Sequence, residues 1–507
     1  MNPIENAAEI SDDPANRNGA VQQSVEPDFA PFASKMAAEG LPDVAIRTFE
    51  HYYQQLVQGE TGYIPGDVAR PVQQIHDYEE LYGYELVGQD VLERTVVVKL
   101  NGGLGTSMGM AGAKSLIEVK DGLTFLDILA RQVMASNLRT NRQVPLLVMN
   151  SFTTQASTLK ALRRYPELTG DIPVDFLQHK VPKVWVDDLS PAQWPDDPAK
   201  EWCPPGHGDI YTALVTSGVL DKVLEAGYEY AFVSNSDNLG AMLDLRILGY
   251  MAELEIPFLM EVAFRTRADR KGGHLAQRPD GQFMLREIAQ CPPDELQTFQ
   301  DVSVYKFFNT NNLWIHLPTL KRILDAGNGV MGLPLIRNQK PVDPQDDTSP
   351  QVYQLETAMG SALSVIPGAQ AIRVPRIRFL PVKKNNDLLV LWSDVYLLTT
   401  TYRLVMNPKR ISGPPRRPPI VELDDRFYKN FADMEARFPY GPPSLVHCEH
   451  LHIVGDVHFG KDIAIWGDVE IINKGEEPMF IPDGTVLKNT TLDNTALDNT
   501  VLMNRAD

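Results

Sequence analysis

From residue 95 onward the apolar positions fall in short unbroken runs and do not alternate with polar ones. Thr95–Leu100 (TVVVKL), Val144–Met149, Tyr230–Val233 and Pro257–Phe264 are the clearest. Runs of this kind predict strands buried on both faces. Segments near Phe125–Ser136 and onward through Arg164 separate them with helical spacing. Strands alternating with helices predict a mostly parallel sheet with right-handed crossovers. In such a sheet, ligands bind beyond the C-terminal strand ends. Upstream, Phe32, Met36 and Leu41, then Ile46, Phe49, Tyr53 and Leu56, recur at helical spacing and predict a helical segment over 29–92.

The pattern changes after Pro408–Pro419 (PKRISGPPRRPP), a stretch that reads as a linker. Over His447–Ile472 short apolar pieces are punctuated by Gly455, Gly460 and Gly467, as in the coils of a β-solenoid. Leu487, Leu492, Leu497 and Leu502 then repeat every five residues, as do Asn489, Asn494, Asn499 and Asn504. Either a further coil or a frayed tail gives such a repeat. An uncapped solenoid end makes self-association plausible. The polar, acidic first residues predict a disordered tail. The expected division is 1–28 tail, 29–92 helical segment, 93–407 central α/β domain, 408–443 linker and 444–507 C-terminal domain.

Lys and Arg number 47 against 66 Asp and Glu, a net charge of −19 in 507 residues. Such a surface disfavours nucleic acid polymers and anionic membranes as partners. The 3 cysteines, Cys203, Cys291 and Cys448, are scattered, with no CxxC, so neither a zinc cluster nor a disulfide framework is expected. No basic-then-apolar leader opens the sequence, and no run approaches the roughly eighteen apolar residues of a membrane span. The expected compartment is the cytoplasm.

Five segments carry candidate chemistry. Leu100–Lys114 (LNGGLGTSMGMAGAK) follows the strongest strand; its glycines permit close backbone approach, its N–H groups can cradle phosphate, and Lys114 adds a point charge. The loop is neither a P-loop nor GxGxxG, which disfavours a dinucleotide dehydrogenase. His207, between glycines in PPGHGD, is either a ligand contact or a structural histidine. Asp237, in FVSNSDNLG, suits Mg²⁺, a cation that takes few protein ligands and keeps substrate phosphates; the alternative is an Asx turn or helix cap. The amides of Asn309–Asn312 suit sugar hydroxyls or make a polar turn between strands. Arg378, Lys383 and Lys384 neutralise a polyphosphate or form a solvated basic face.

In this order, LNGGLGTSMG, AKSLIEV, MNSF, PPGHGDIY, SNSDNLGA, KGGHL, FNTNNLWI, QLETAMGSA and RFLPVKKNNDLL resemble the UDP-glucose pyrophosphorylases, over residues from about 30 to about 490. The resemblance implies an α/β fold: a Rossmann-like nucleotidyltransferase domain with a mixed sheet, a helical N-terminal segment and a C-terminal left-handed β-helix. It implies Mg²⁺-dependent formation of UDP-glucose and pyrophosphate from UTP and glucose 1-phosphate. Leu100, Asn101, Gly102 and Gly103 would wrap the base and phosphates, Lys114 would meet the pyrophosphate part, and Gln178 would read uracil. Gly206 and His207 would border nucleotide and sugar phosphate. Asn235, Ser236 and Asp237 would meet substrate, with Asp237 on Mg²⁺. Gly273, Asn309 and Asn311 would line the glucose pocket, and Lys383 would bridge both substrates' phosphates as the main catalytic residue. Ala113 stands where the family usually has proline. Family members associate through the solenoid, which implies a homo-oligomer. The alternatives are a pyrophosphorylase for galactose 1-phosphate or an N-acetylhexosamine 1-phosphate, and a non-catalytic scaffold assembled through the tail.

Overall fold

The computed structural model describes residues 28–105, 108–110, 112–168, 170–410 and 417–493. The acidic leader and positions 494, 497, 499, 502 and 504 of the five-residue repeat lie outside them, as do 411–416 of the proline-rich stretch.

The apolar runs form the middle of one large mixed sheet. Its order is His76–Asp77, Gln370–Arg373, Phe258–Phe264, Phe307–His316, Tyr230–Asn235, Thr95–Asn101, Leu146–Asn150 and Asp175–Leu177. Along this path Phe307–His316 runs antiparallel to both neighbours, and the other pairings are parallel. Thr95–Asn101 is buried along its whole length. Its pleat sends Val96, Val98 and Leu100 into one core with Ile210, Leu214 and Leu220, and Val97 into another with Val133, Ile247 and Met251. Burial on both faces explains why the strand sequences do not alternate. The helix Phe125–Thr140 starts at a capping box made by Thr124 and Asp127, a feature that contributes about 1 kcal/mol, and stops where Asn141 turns left-handed.

The N-terminal segment is helical over Ala30–Ala38 and Asp43–Val57, where Phe32, Met36, Phe49 and Tyr53 bury their rings and thioether together. Residues 58–84 depart from the helical expectation. Gly59, Gly62, Pro65 and Pro71 interrupt the helical pattern, and the chain instead supplies Arg70–Pro71 and His76–Asp77 to sheet edges.

The stack begins inside the stretch expected as linker, 408–443: Ile420–Leu423, Ser444–Val454, Ala464–Ile472 and Val486–Asp493 stack in parallel, and Val457–Phe459 stacks on Met479–Ile481. Leu423, Ile453, Ile471 and Leu492 are aligned through the stack as one inward column. Leu487 pairs with Ile465, so two of the period-five leucines are rungs. Asn489 turns the corner at φ 43°, and its Oδ1 accepts from the Asp468 N–H at 3.0 Å. The core of this stack also takes in Met108 and Ile117 from around the glycine loop, together with Leu388 and Val395. No helix among the described residues is long and apolar enough to cross a membrane.

Candidate active site

Register brings the candidate segments together. Asn235 is level with Leu100, Asn101 with Asn150, and Asn150 with Leu177, so the strands end on one line. The glycine loop, Gln178 and the Asp237 turn emerge side by side along it.

The loop closes on itself through a bridge between Leu104 and Ala113, and Lys114 N–H reaches the Gly103 carbonyl at 3.4 Å. Ala113 is buried, and the bridge holds it in extended backbone. The loop's far side rests on the C-terminal region: Met108 is fully buried, and a Cβ at Gly109, φ 65°, would lie 2.2 Å from Asn430 Oδ1. Lys114 Nζ then donates to Asp237 Oδ2 at 2.8 Å and to the Val382 carbonyl. The other oxygen, Asp237 Oδ1, is buried without a hydrogen-bond partner. A carboxylate oxygen in that state fits a hard cation that completes its shell with phosphates and water. No group of three or more His, Cys, Asp or Glu among the described residues could hold a metal without such help.

Next along the line, a Cβ on Gly102 would lie 2.4 Å from Gln178 Oε1, and Gln178 Nε2 donates to the Gly206 carbonyl at 3.1 Å. The Gln178 amide is therefore aimed by its own partners. His179 beside it is held by Asp209, which accepts from its backbone N–H at 2.7 Å and its Nδ1 at 2.9 Å. Gly206 sits at φ 79°, where a Cβ would lie 2.3 Å from the Thr357 carbonyl oxygen, so this turn requires glycine. His207 Nδ1 accepts from the Met359 N–H at 2.8 Å, which places the ring proton on Nε2. Burial pushes this imidazole down to about 4, so it is a neutral donor.

The third cluster follows from a bulge. Register between Phe258–Phe264 and Phe307–His316 slips after Glu261, and Asn311 takes φ 57°. Asn309 and Asn311 exchange hydrogen bonds of 2.7 and 2.9 Å, and Asn309 N–H reaches the Gly273 carbonyl at 3.1 Å. A Cβ at Gly273 would lie 2.4 Å from Glu287 Oε1. Lys383 faces this group, 5.8 Å above the Phe308 ring. Burial of its carboxyl raises Glu287 to about 7, against the opposing pull of Lys383 and the Gly273 N–H.

Several expectations change here. Leu100 is a core side chain, and its carbonyl is taken by the Ser236 N–H, so it meets a ligand only through the backbone that follows it. The buried Asn101 amide is engaged with Asn150, Thr158 and Ser236. Asn309–Asn312 is strand, not a turn between strands. The basic segment splits three ways. Lys383 faces the sugar-side cluster, and Lys384 points toward Asp425 at 3.5 Å. Arg378 is buried and grips Glu261 with bonds of 2.8 and 2.5 Å, so it is neither solvated nor free for a polyphosphate. Leaving one partner of such a buried pair alone costs about 3–5 kcal/mol. Glu287 escaped the sequence reading. No motif marks it, and its place comes from the hairpin register that sets His274 opposite Arg286.

A mixed α/β sheet, with phosphate-suited groups at its parallel strand ends and a cluster of amides beside them, is the arrangement of a nucleotide-handling enzyme class. Residues 46–466 match the family described as UTP–glucose-1-phosphate uridylyltransferase, and the chain belongs to that family. A probable UTP–glucose-1-phosphate uridylyltransferase of Schizosaccharomyces pombe is 40% identical, over 90% of this chain and 88% of that protein. The Solanum tuberosum enzyme is 42% identical over 79% and 81%. Among solved structures, a variant of Leishmania major UDP-glucose pyrophosphorylase in complex with UDP-glucose has a TM-score of 0.84 and 44% identity, covering 92% of this chain and 99% of that one. A UDP-glucose phosphorylase from Trypanosoma brucei gives the same values.

Proposed function

We propose that this protein transfers the uridylyl group of UTP to glucose 1-phosphate, giving UDP-glucose and pyrophosphate, reversibly. The observation that carries this reading is the convergence of Lys114 and Asp237, 2.8 Å apart, between the Gln178 cluster and the Asn309–Glu287 cluster. A phosphate-binding pair thus lies between a base reader and a pocket of hydroxyl partners.

In the proposed reaction an oxygen of the sugar phosphate attacks the UTP α-phosphorus in line. The new P–O bond forms as the bond to the bridging oxygen breaks, and the electron pair leaves with pyrophosphate. No proton need move, so positioning and charge neutralisation supply the catalysis. Gln178 reads uracil against the Gly102 backbone. Lys114 moves from Asp237 onto the leaving phosphates. His207 donates from Nε2 to a phosphate oxygen, and Lys383 bridges the phosphates of both substrates. Asn235 and Ser236 border the nucleotide, while Gly273, Asn309, Asn311 and Glu287 hold the sugar hydroxyls. Mg²⁺, when bound, withdraws charge from the phosphates, and Asp237 is the residue that would hold it.

Residues 93–407 form the catalytic unit in this reading. We further propose that the parallel stack within 444–507 is a left-handed β-helix and the surface through which copies associate. The test is pyrophosphate release from UTP and Mg²⁺ with glucose 1-phosphate, galactose 1-phosphate or N-acetylglucosamine 1-phosphate. Strong preference for glucose 1-phosphate is expected. Turnover of another sugar phosphate instead would keep the chemistry and relocate the specificity; no turnover with any would overturn the reading.

A further inference from the structure

Beneath the site lies a polar network that no step above uses. Glu261 is fully buried and accepts four hydrogen bonds: two from Arg378, one from Asn312 Nδ2 at 3.0 Å and one from Trp314 Nε1 at 2.9 Å. Asn312 in turn accepts from Asn238 Nδ2 at 3.1 Å. Asn238 is 1% exposed and uses both ends of its amide. Nδ2 also donates to the Arg378 carbonyl at 3.1 Å, while Oδ1 accepts from the N–H groups of Gly240 at 3.2 Å and Leu380 at 2.8 Å. Its backbone bridges Pro381.

One side chain therefore ties three chain segments. Asn238 directly follows Asp237. Leu380 and Pro381 lead directly into Val382, whose carbonyl meets Lys114, and Lys383. Asn312 follows the bulge that presents Asn309 and Asn311. Two backbone N–H donors fix Oδ1, and two acceptors fix Nδ2, so the amide has one orientation. Lys99 adds a clamp from below: its buried Nζ bonds Ser234 Oγ at 2.6 Å and the Ala241 carbonyl at 2.8 Å, the two ends of the turn that carries Asp237.

We infer that Asn238 is a positioning residue for the uridylyl transfer, holding the Lys383 segment in register with Asp237 through its bonds to Leu380, Arg378 and Asn312. This rests on the function proposed above. It acts on geometry at the reacting phosphates and touches neither substrate, so its loss lowers kcat and leaves both KM values nearly unchanged. A displacement of about 1 Å in such a site costs roughly 100-fold in rate.

The experiment is Asn238→Ala in the full chain, with Asn238→Ser as the milder variant should the first not fold, each checked by thermal melting. Steady-state kinetics with UTP and glucose 1-phosphate should show kcat lower by about 100-fold and each KM within about threefold. The same substitution is then made in a Lys383→Ala background, followed by radiolabelled pyrophosphate exchange. If Asn238 acts through Lys383, the second loss falls below about threefold, because residues acting as a unit are not additive. Equal losses in both backgrounds, or a rise in KM with kcat preserved, would overturn the inference. Failure of the wild-type chain to turn over these substrates would instead sink the functional reading, and the two failures are separable.

Discussion

Lys114 Nζ lies 2.8 Å from Asp237 Oδ2, so the site holds its own cation against its own carboxylate. Both side chains are mostly withdrawn from solvent, at 14% and 20% exposure. The pair keeps the two charges compensated within the site.

Asp237→Asn leaves Lys114 a polar neighbour but removes the charge that would hold Mg²⁺. We expect turnover at ordinary Mg²⁺ to fall by about 10²-fold or more. The stability cost should stay within about 3 kcal/mol, since Lys114 keeps the Val382 carbonyl and an amide oxygen as acceptors. Titrating activity against Mg²⁺ and melting the variant check this; unchanged Mg²⁺ dependence would sink the metal assignment.

Lys383→Ala should lower kcat by roughly 10²–10³-fold, the usual cost of one preorganised donor. The melting temperature should hardly move, because the cation faces the sugar-side cluster and carries no part of the buried core. Parallel loss of kcat and of folding would assign Lys383 to structure.

Gly102→Ala places a methyl 2.4 Å from Gln178 Oε1 and must push that amide aside. The KM for UTP should rise by about tenfold or more, while that for glucose 1-phosphate stays within about threefold. A rise confined to glucose 1-phosphate would separate Gln178 from the base.

Glu287 gives a pH signature. Its carboxyl, raised to about 7, carries a proton in the fold over a range where the unfolded chain, near 4.5, has lost it. The folded state then binds more protons, so this group's contribution to stability is full below about 4.5 and disappears as pH rises through about 7. Above that point the ionised carboxylate is the better acceptor for a sugar hydroxyl. The KM for glucose 1-phosphate should fall as pH rises through 7, and Glu287→Gln should flatten both trends. Unaltered pH dependence in that variant would place the titration elsewhere.

The strand ends were legible in the sequence because buried β-branched runs stop at glycine and amide clusters, and stacking such runs in parallel aligns the stops. The column through Leu423, Ile453, Ile471 and Leu492 was foreshadowed by glycine-punctuated apolar pieces. Arg378 was misread for a physical reason. A guanidinium flanked by proline and a lysine pair reads as solvated, and its burial depends on Glu261, 117 positions away. The strand from Phe307 to His316 was obscured because its interior carries three asparagines, one of which, Asn312, finds its partners in Glu261, Arg378 and Asn238, all distant in sequence. Glu287 was invisible because its role exists only once a hairpin sets it against Gly273.

The seat of the glycine loop has a consequence for how this chain can vary. Met108 belongs to the same buried cluster as Leu445, Val457 and Ile465, and Gly109 lies against Asn430, so the shape of the loop depends on residues encoded far downstream. Substitutions there reshape the loop without lying in it. A shortened chain that kept every motif residue would still lose the surface against which its loop is set, and in that sense the two ends of the molecule are inherited as one trait.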